Sequence, residues 1–191
     1  MRQSLPPGVE LVAVSKTRSA EQVQEAMGVG QLDFGENRVQ ELLEKSATLP
    51  ESLRWHQIGT LQRNKVKQIV PFVHLIHAVD SVALLEEISK RAVNCGREVS
   101  VLMQVHVALE DTKHGFTPDE LRAFCADEPA HENVRIAGIM GMASNTDSKS
   151  LVQHEFQKLR ALYEELGDSC NASWKTLSMG MSGDWRIAVD C

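Results

Sequence analysis

Short apolar runs alternate with amphipathic stretches along the whole chain. The runs of strand length are Val9–Ser15, Asp33–Glu36, Trp55–Gly59, Val73–Asp80, Val99–Val107, Arg135–Ala143 and Thr176–Met181. Between them, Ala20–Gly28, Val39–Ala47, Gln62–Val70, Ser81–Asn94, Pro118–Ala126 and Ser150–Leu166 are predicted helices. The last carries the clearest period: Leu151, Phe156, Leu159, Leu162 and Tyr163 recur at helical spacing, with Glu and Lys opposite.

Unbroken alternation of strand and helix predicts a parallel sheet with helical crossovers. Seven strands are counted where a closed (β/α)8 barrel needs eight. The pattern therefore fits either an open doubly wound sheet or a barrel lacking its last strand. Leu109–Gly115 reads as an active-site loop after a strand, and Asp127–Glu132 as a helix-to-strand loop. No internal repeat or linker divides the chain, so residues 1–191 are expected to form a single domain.

Composition narrows the function classes. A formal charge of -6 with scattered Lys and Arg argues against a general nucleic-acid binder. Aromatics make up only 5%, so aliphatic side chains must build the core. Cys95, Cys125, Cys170 and Cys191 form no CxxC pair, which fits unpaired thiols in a reducing compartment. The first residues show no apolar signal region, and no segment reaches the length of a membrane span. A soluble cytoplasmic protein is expected, in which the glycosylation-like Asn171-Ala172-Ser173 is accidental.

Chemistry is sought at the carboxyl ends of the strands, where parallel barrels collect their working residues. Lys16 closes the first run. An amine there can be partly desolvated and attack an aldehyde, although position alone favours a lysine that merely leaves the strand for solvent. The other ends carry Gly35-Glu36-Asn37, His56-Gln57-Ile58-Gly59, Lys113-His114-Gly115, Gly141-Met142-Ala143-Ser144 and Ser178-Met179-Gly180-Met181-Ser182. A helix beginning near Asp184 could offer an anion site, or the serines could simply serve a small-residue turn. His74 and His77 read as structural or surface histidines, because no neighbouring carboxylate or Cys completes a zinc site. Met140, Met142, Met179 and Met181 read as core filling. Trp55 and Trp174 read as covers of the barrel bottom.

Taken together and in order, these strand ends resemble the pyridoxal-phosphate homeostasis protein family, single-domain relatives of the alanine-racemase barrel. The matching segments are Val12-Ala13-Val14-Ser15-Lys16-Thr17, Phe34-Gly35-Glu36-Asn37 with Val39-Gln40-Glu41, and Trp55-His56 with Ile58-Gly59, Leu61-Gln62 and Asn64-Lys65. They continue through Gln104-Val105, Lys113 with Gly115, and Leu177 to Ser182. The resemblance implies an α/β fold, a (β/α)8 TIM barrel of the alanine-racemase N-terminal-domain type, truncated before strand eight.

It further implies pyridoxal 5'-phosphate (PLP) as cofactor, held as a Schiff base on Lys16. Asn37, His56, Ile58, Gly59 and Met142 would lie around the cofactor, with Ser178, Met179 and Ser182 toward its phosphate. No catalytic residue and no metal are expected. The implied role is non-catalytic buffering or delivery of PLP by a monomer, with PLP-dependent apoenzymes as partners. Arg38, Gln57 and His106 depart from the family's usual Tyr, Phe and Asn. Without an eighth strand, weaker retention of PLP is expected. The rival readings are a PLP-dependent racemase-like enzyme, a Schiff-base aldolase, and a cofactor-free truncated barrel. A racemase would need a second acid or base facing Lys16, and the sole tyrosine, Tyr163, falls mid-helix.

Overall fold

The computed structural model describes residues 5–108, 114–127, 131–169 and 174–191. Lys113 with most of its expected loop, part of Asp127–Glu132, Asn171-Ala172-Ser173 and Cys170 lie outside the described residues. Two compact units are distinguished: residues 10–101 with 131–135, and residues 1–9 with 102–130 and 136–191.

The first unit holds β1 (Ala13–Val14), α1 (Ala20–Gly28), β2 (Asp33–Glu36), α2 (Val39–Thr48), β3 (Arg54–Gln57), α3 (Val66–Ile69), β4 (Leu75–Val79), α4 (Val82–Cys95) and the start of β5 (Val99–Val105). β1 to β4 lie side by side in chain order, all parallel. Phe34 and Trp55 are paired across β2 and β3 with rings 6.0 Å apart. Trp55 is buried near the start of β3. The helices form where the sequence signals them. Ser19 and Gln22 make a reciprocal capping box at the start of α1. Gly96 closes α4 in the left-handed conformation, at φ 64°.

β1 is far shorter than the predicted Val9–Ser15. The Gln31 side-chain amide donates to the Leu11 carbonyl at 2.7 Å and to the Asp33 carbonyl at 2.7 Å. A side chain thus occupies the acceptor that a ladder bond would use, and regular pairing starts only at Ala13 opposite Phe34. Val9 and Val14 are 41% and 49% exposed, so this apolar run is only partly buried. The predicted helix Gln62–Val70 divides into a 3-10 turn, Arg63–Lys65, followed by α3.

The second unit contains the rest of β5, α5 (Pro118–Ala126), β6 (Val134–Gly141, from Ile136), α6 (Lys149–Ser169), β7 (Thr176–Ser178) and α7 (Trp185–Asp190). β6 and β7 are parallel, with Gly138 opposite Thr176. At Gly138, φ is 148° and an added Cβ would stand 1.9 Å from the Thr176 carbonyl oxygen, so only glycine fits this ladder. β5 stops at Val105, because the His106 N–H turns to the Phe116 carbonyl instead. Only part of the methionine expectation holds: Met140 is buried, whereas Met142 and Met181 are 38% and 52% exposed. Among the described residues, no helix is long and apolar enough to cross a membrane.

Candidate functional site

Lys16 is exposed, in the tight turn between β1 and α1. The turn is closed by the Arg18 N–H donating to the Ser15 carbonyl at 3.0 Å. Thr17 takes φ 63°, a costly conformation for a β-branched residue. Its N–H donates to Glu41 Oε2 at 2.9 Å, and that bond from α2 holds the turn.

Beneath the turn lies a buried charge network that the sequence did not reveal. Lys45 Nζ, from α2, donates to the Ser15 carbonyl at 2.6 Å and to Glu36 Oε1 at 2.6 Å. The Ser15 hydroxyl donates to the same Glu36 oxygen at 2.7 Å. Glu36 is fully buried, and its Oε2 has no partner among the described residues. Such a network costs desolvation, so its contribution is geometric: it fixes the residue before Lys16 against β2 and α2. The only sequence signal was a charged residue on the second helical turn after a strand, which usually faces solvent.

The next two strand ends are drawn together in the same unit. Gln57 Nε2 donates to the Asn37 carbonyl at 3.0 Å and to the Gly59 carbonyl at 2.9 Å. A Cβ at Gly59 would stand 2.6 Å from the Asn37 carbonyl oxygen, so the close approach of these two loops requires glycine. A Cβ at Gly35 would lie 3.0 Å from Ile58 Cδ1 and 3.1 Å from Val12 Cγ1. Val12, just before β1, and Ile58, just after β3, thus form an apolar patch over Gly35 in β2. Lys16, Asn37, Ile58 and Gly59 all belong to this end of the first unit.

His56 is differently employed. Its Nε2 lies 3.1 Å from Asp33 Oδ1 and its Nδ1 lies 2.9 Å from His77 Nε2. Both ring nitrogens are therefore engaged with neighbouring strands, which suits a support more than a donor to a ligand. Burial pushes His56 down to about 4 and His77 to about 3, and on His56 it outweighs the opposing pull of the hydrogen bond and charge of Asp33. Burial also lowers His74. For Asp33, burial works upward, but hydrogen bonds from Arg54 and His56 outweigh it and hold the carboxyl below its usual value. Arg54 Nε donates to Asp33 Oδ1 at 2.5 Å, and its terminal nitrogen donates to Oδ2.

Met142, Ser178, Met179 and Ser182 all lie in the second unit. Met179 packs against the cluster of Ala143, Val152, Phe156 and Ala188, so its side chain serves the core. Gly180 takes φ 84°, and the Met181 N–H donates to Asp184 Oδ1 at 2.5 Å. α7 begins near Asp184, as the sequence predicted, with Asp184 as its N-cap, but the Asp184 carboxylate already uses one N–H of this turn. Ser182 is exposed within the turn. The loop after β6 is tied down by Glu155, which accepts from the Ser144 N–H at 2.7 Å and from its hydroxyl at 2.6 Å.

Residues 1–188 match the family described as alanine racemase, N-terminal domain. The chain is 38% identical over 182 residues to the pyridoxal phosphate homeostasis protein of Aquifex aeolicus, covering 95% of this chain and 80% of that one. The human protein of the same name is 38% identical over 193 residues, covering 94% and 70%. PipY of Synechococcus elongatus, 38% identical, has a TM-score of 0.94 without PLP and 0.90 with PLP bound, over 99% of this chain and 89% of its own. These likenesses show the α/β barrel fold of the alanine racemase N-terminal domain, and the chain belongs to the pyridoxal phosphate homeostasis protein family.

Proposed function

We propose that this chain binds PLP through Lys16 and acts as a non-catalytic carrier of it in intracellular PLP homeostasis. The observation that carries the reading is the Lys16 turn, an exposed amine on backbone locked from below by Lys45, Glu36 and Glu41. The donor set suits the cofactor: a primary amine on a fixed turn, beside an apolar patch of Val12, Gly35 and Ile58. When bound, PLP supplies an aldehyde carbon open to attack by an amine and a phosphate that needs N–H and O–H donors. PipY, at 38% identity, has been solved with PLP bound.

The residues divide the work. Lys16 is the covalent anchor, and the buried Lys45–Glu36 pair positions it. Ile58 and Gly35 offer an apolar wall, with Asn37 and Gly59 holding the adjoining loop. His56 supports the strands. The assignment of Met142 to the cofactor's surroundings, and of Ser178, Met179 and Ser182 to its phosphate, rests on the family resemblance. The carrier is taken to be a cytoplasmic monomer that supplies PLP-dependent apoenzymes.

The test is direct. The protein is loaded with PLP, desalted, reduced with borohydride and mapped by peptide mass. A pyridoxyl group on Lys16, with retention reduced at least tenfold in Lys16→Ala, is expected. Equal retention by Lys16→Ala, or a label on another lysine, would refute the assignment. Turnover of an amino acid by the loaded protein would replace the carrier reading with an enzyme.

A further inference from the structure

We propose that Asp33, His56 and His74 form a binding site for a divalent transition-metal ion of the zinc class. Among the described residues, one carboxylate oxygen and two imidazole nitrogens from these side chains lie within 4.8 Å of one another. This set is distinct from the Lys16 turn. Asp33 opens β2 and His74 immediately precedes β4, whereas Ser15-Lys16 and Asn37 follow the ends of their strands. At about 3.3 Å per residue, the length of β2 alone separates the two ends by roughly 10 Å.

The distances suit one ion. Metal–ligand bonds of about 2.0–2.2 Å in a tetrahedral shell place neighbouring ligand atoms roughly 3.3–3.5 Å apart. His56 Nε2 and Asp33 Oδ1 stand 3.1 Å apart. Two imidazoles bound to the same tetrahedral ion hold their ring centres roughly 5 Å apart, and the His56 and His74 rings are 5.3 Å apart, tilted by 55°. Two nitrogens and one oxygen favour zinc, cobalt or nickel over calcium and magnesium, which prefer all-oxygen shells. Three protein ligands leave the fourth position to water.

The surroundings are also those of a metal site. When His56 Nε2 holds the ion, its proton sits on Nδ1 and donates to His77 Nε2, 2.9 Å away. A ligating histidine commonly has its second nitrogen fixed by such a partner. Arg54 holds the Asp33 carboxylate in place and keeps Oδ2 when Oδ1 turns to the ion. The positive charges of Arg54 and, near His74, of Arg97 oppose the ion, and the nearby charge of Glu10, which acts on both Arg54 and His74, offsets part of that. Asp33 and His56 are buried, whereas His74 is exposed and so gives an ion access from solvent.

Chelator-treated protein of residues 1–191 is titrated with Zn2+ by calorimetry and with Co2+ by visible absorption. One equivalent of each is expected to bind, with Co2+ giving the intense bands of a four-coordinate ion. His74→Ala changes only an exposed ligand, and it is expected to weaken both at least tenfold while urea unfolding without metal stays as in the parent. Paramagnetic broadening by Co2+ should be confined to the His56, His74 and His77 ring signals. Absence of binding at one equivalent overturns the proposal, as does unchanged affinity in His74→Ala or broadening centred on other histidines or the cysteines. All of these readouts are independent of PLP.

Discussion

Lys45 Nζ and Glu36 Oε1 meet at 2.6 Å in the interior, and the same ammonium reaches the carbonyl of Ser15, the residue before Lys16. An exposed amine is thus placed by a buried one. Replacing Lys45 by Ala strands the Glu36 carboxylate without its counter-charge, a change expected to cost about 3–5 kcal/mol. The double variant Lys45→Met with Glu36→Leu removes both charges and should recover most of that loss in urea unfolding. If Lys45→Ala unfolds at the parental midpoint, the network does not hold the turn.

The approach of the second and third strand ends makes a separate prediction. Gly59→Ala forces a methyl group against the Asn37 backbone and is expected to cost about 1–3 kcal/mol. Gly183→Ala, where a Cβ would meet nothing within 4 Å, serves as the control and should stay within about 0.5 kcal/mol of the parent. Indistinguishable melting of the two variants would contradict the packing described.

In the second unit, Glu155 accepts two hydrogen bonds from Ser144 at a buried position. Glu155→Ala leaves the Ser144 N–H and hydroxyl without this charged acceptor. The expected cost is about 2–3 kcal/mol, with Glu155→Gln losing less because it keeps an acceptor. Hydrogen exchange at the Ser144 amide should accelerate in the alanine variant; unchanged protection would show that the loop is held by something else.

Acid sensitivity follows from the paired histidines. His56 and His77 are held down at about 4 and about 3, below the value near 6.5 of an unfolded chain. Between those values the unfolded chain binds more protons than the folded one. Stability is therefore fully present above about pH 6.5 and is lost as pH falls toward 3. Urea unfolding in chelator should show a loss of about 2–4 kcal/mol from pH 7 to pH 5, and His77→Gln should reduce that slope. A flat profile over this range would show the rings to be solvated.

Lys16 itself carries no structural load that its exposure would reveal. Lys16→Ala is expected to change stability by no more than about 0.5 kcal/mol while losing PLP. A large loss of stability would mean that the amine has a partner in the interior.

The chain's alternation of short apolar runs and amphipathic stretches determined the parallel α/β class, because side-chain period follows directly from strand and helix geometry. Asp33–Glu36, Ala20–Gly28 and Pro118–Ala126 could be read to the residue, since capping boxes and flanking glycines are local signals. The order of Lys16, Asn37, Ile58 and Ser178 along the strand ends marked the family. Tertiary structure decided the rest. β1 shrank to two residues because Gln31, far along the chain, took the Leu11 carbonyl. Lys45 looked like a solvated helix residue until β2 placed Glu36 beside it. His74 and His77 gained Asp33 and His56 as neighbours only through the pairing of β2, β3 and β4. Apart from Lys45 and Glu36, nine positions apart, those contacts join residues about 20 to 40 positions apart, and no local spacing encodes which distant side chain will fill a given space.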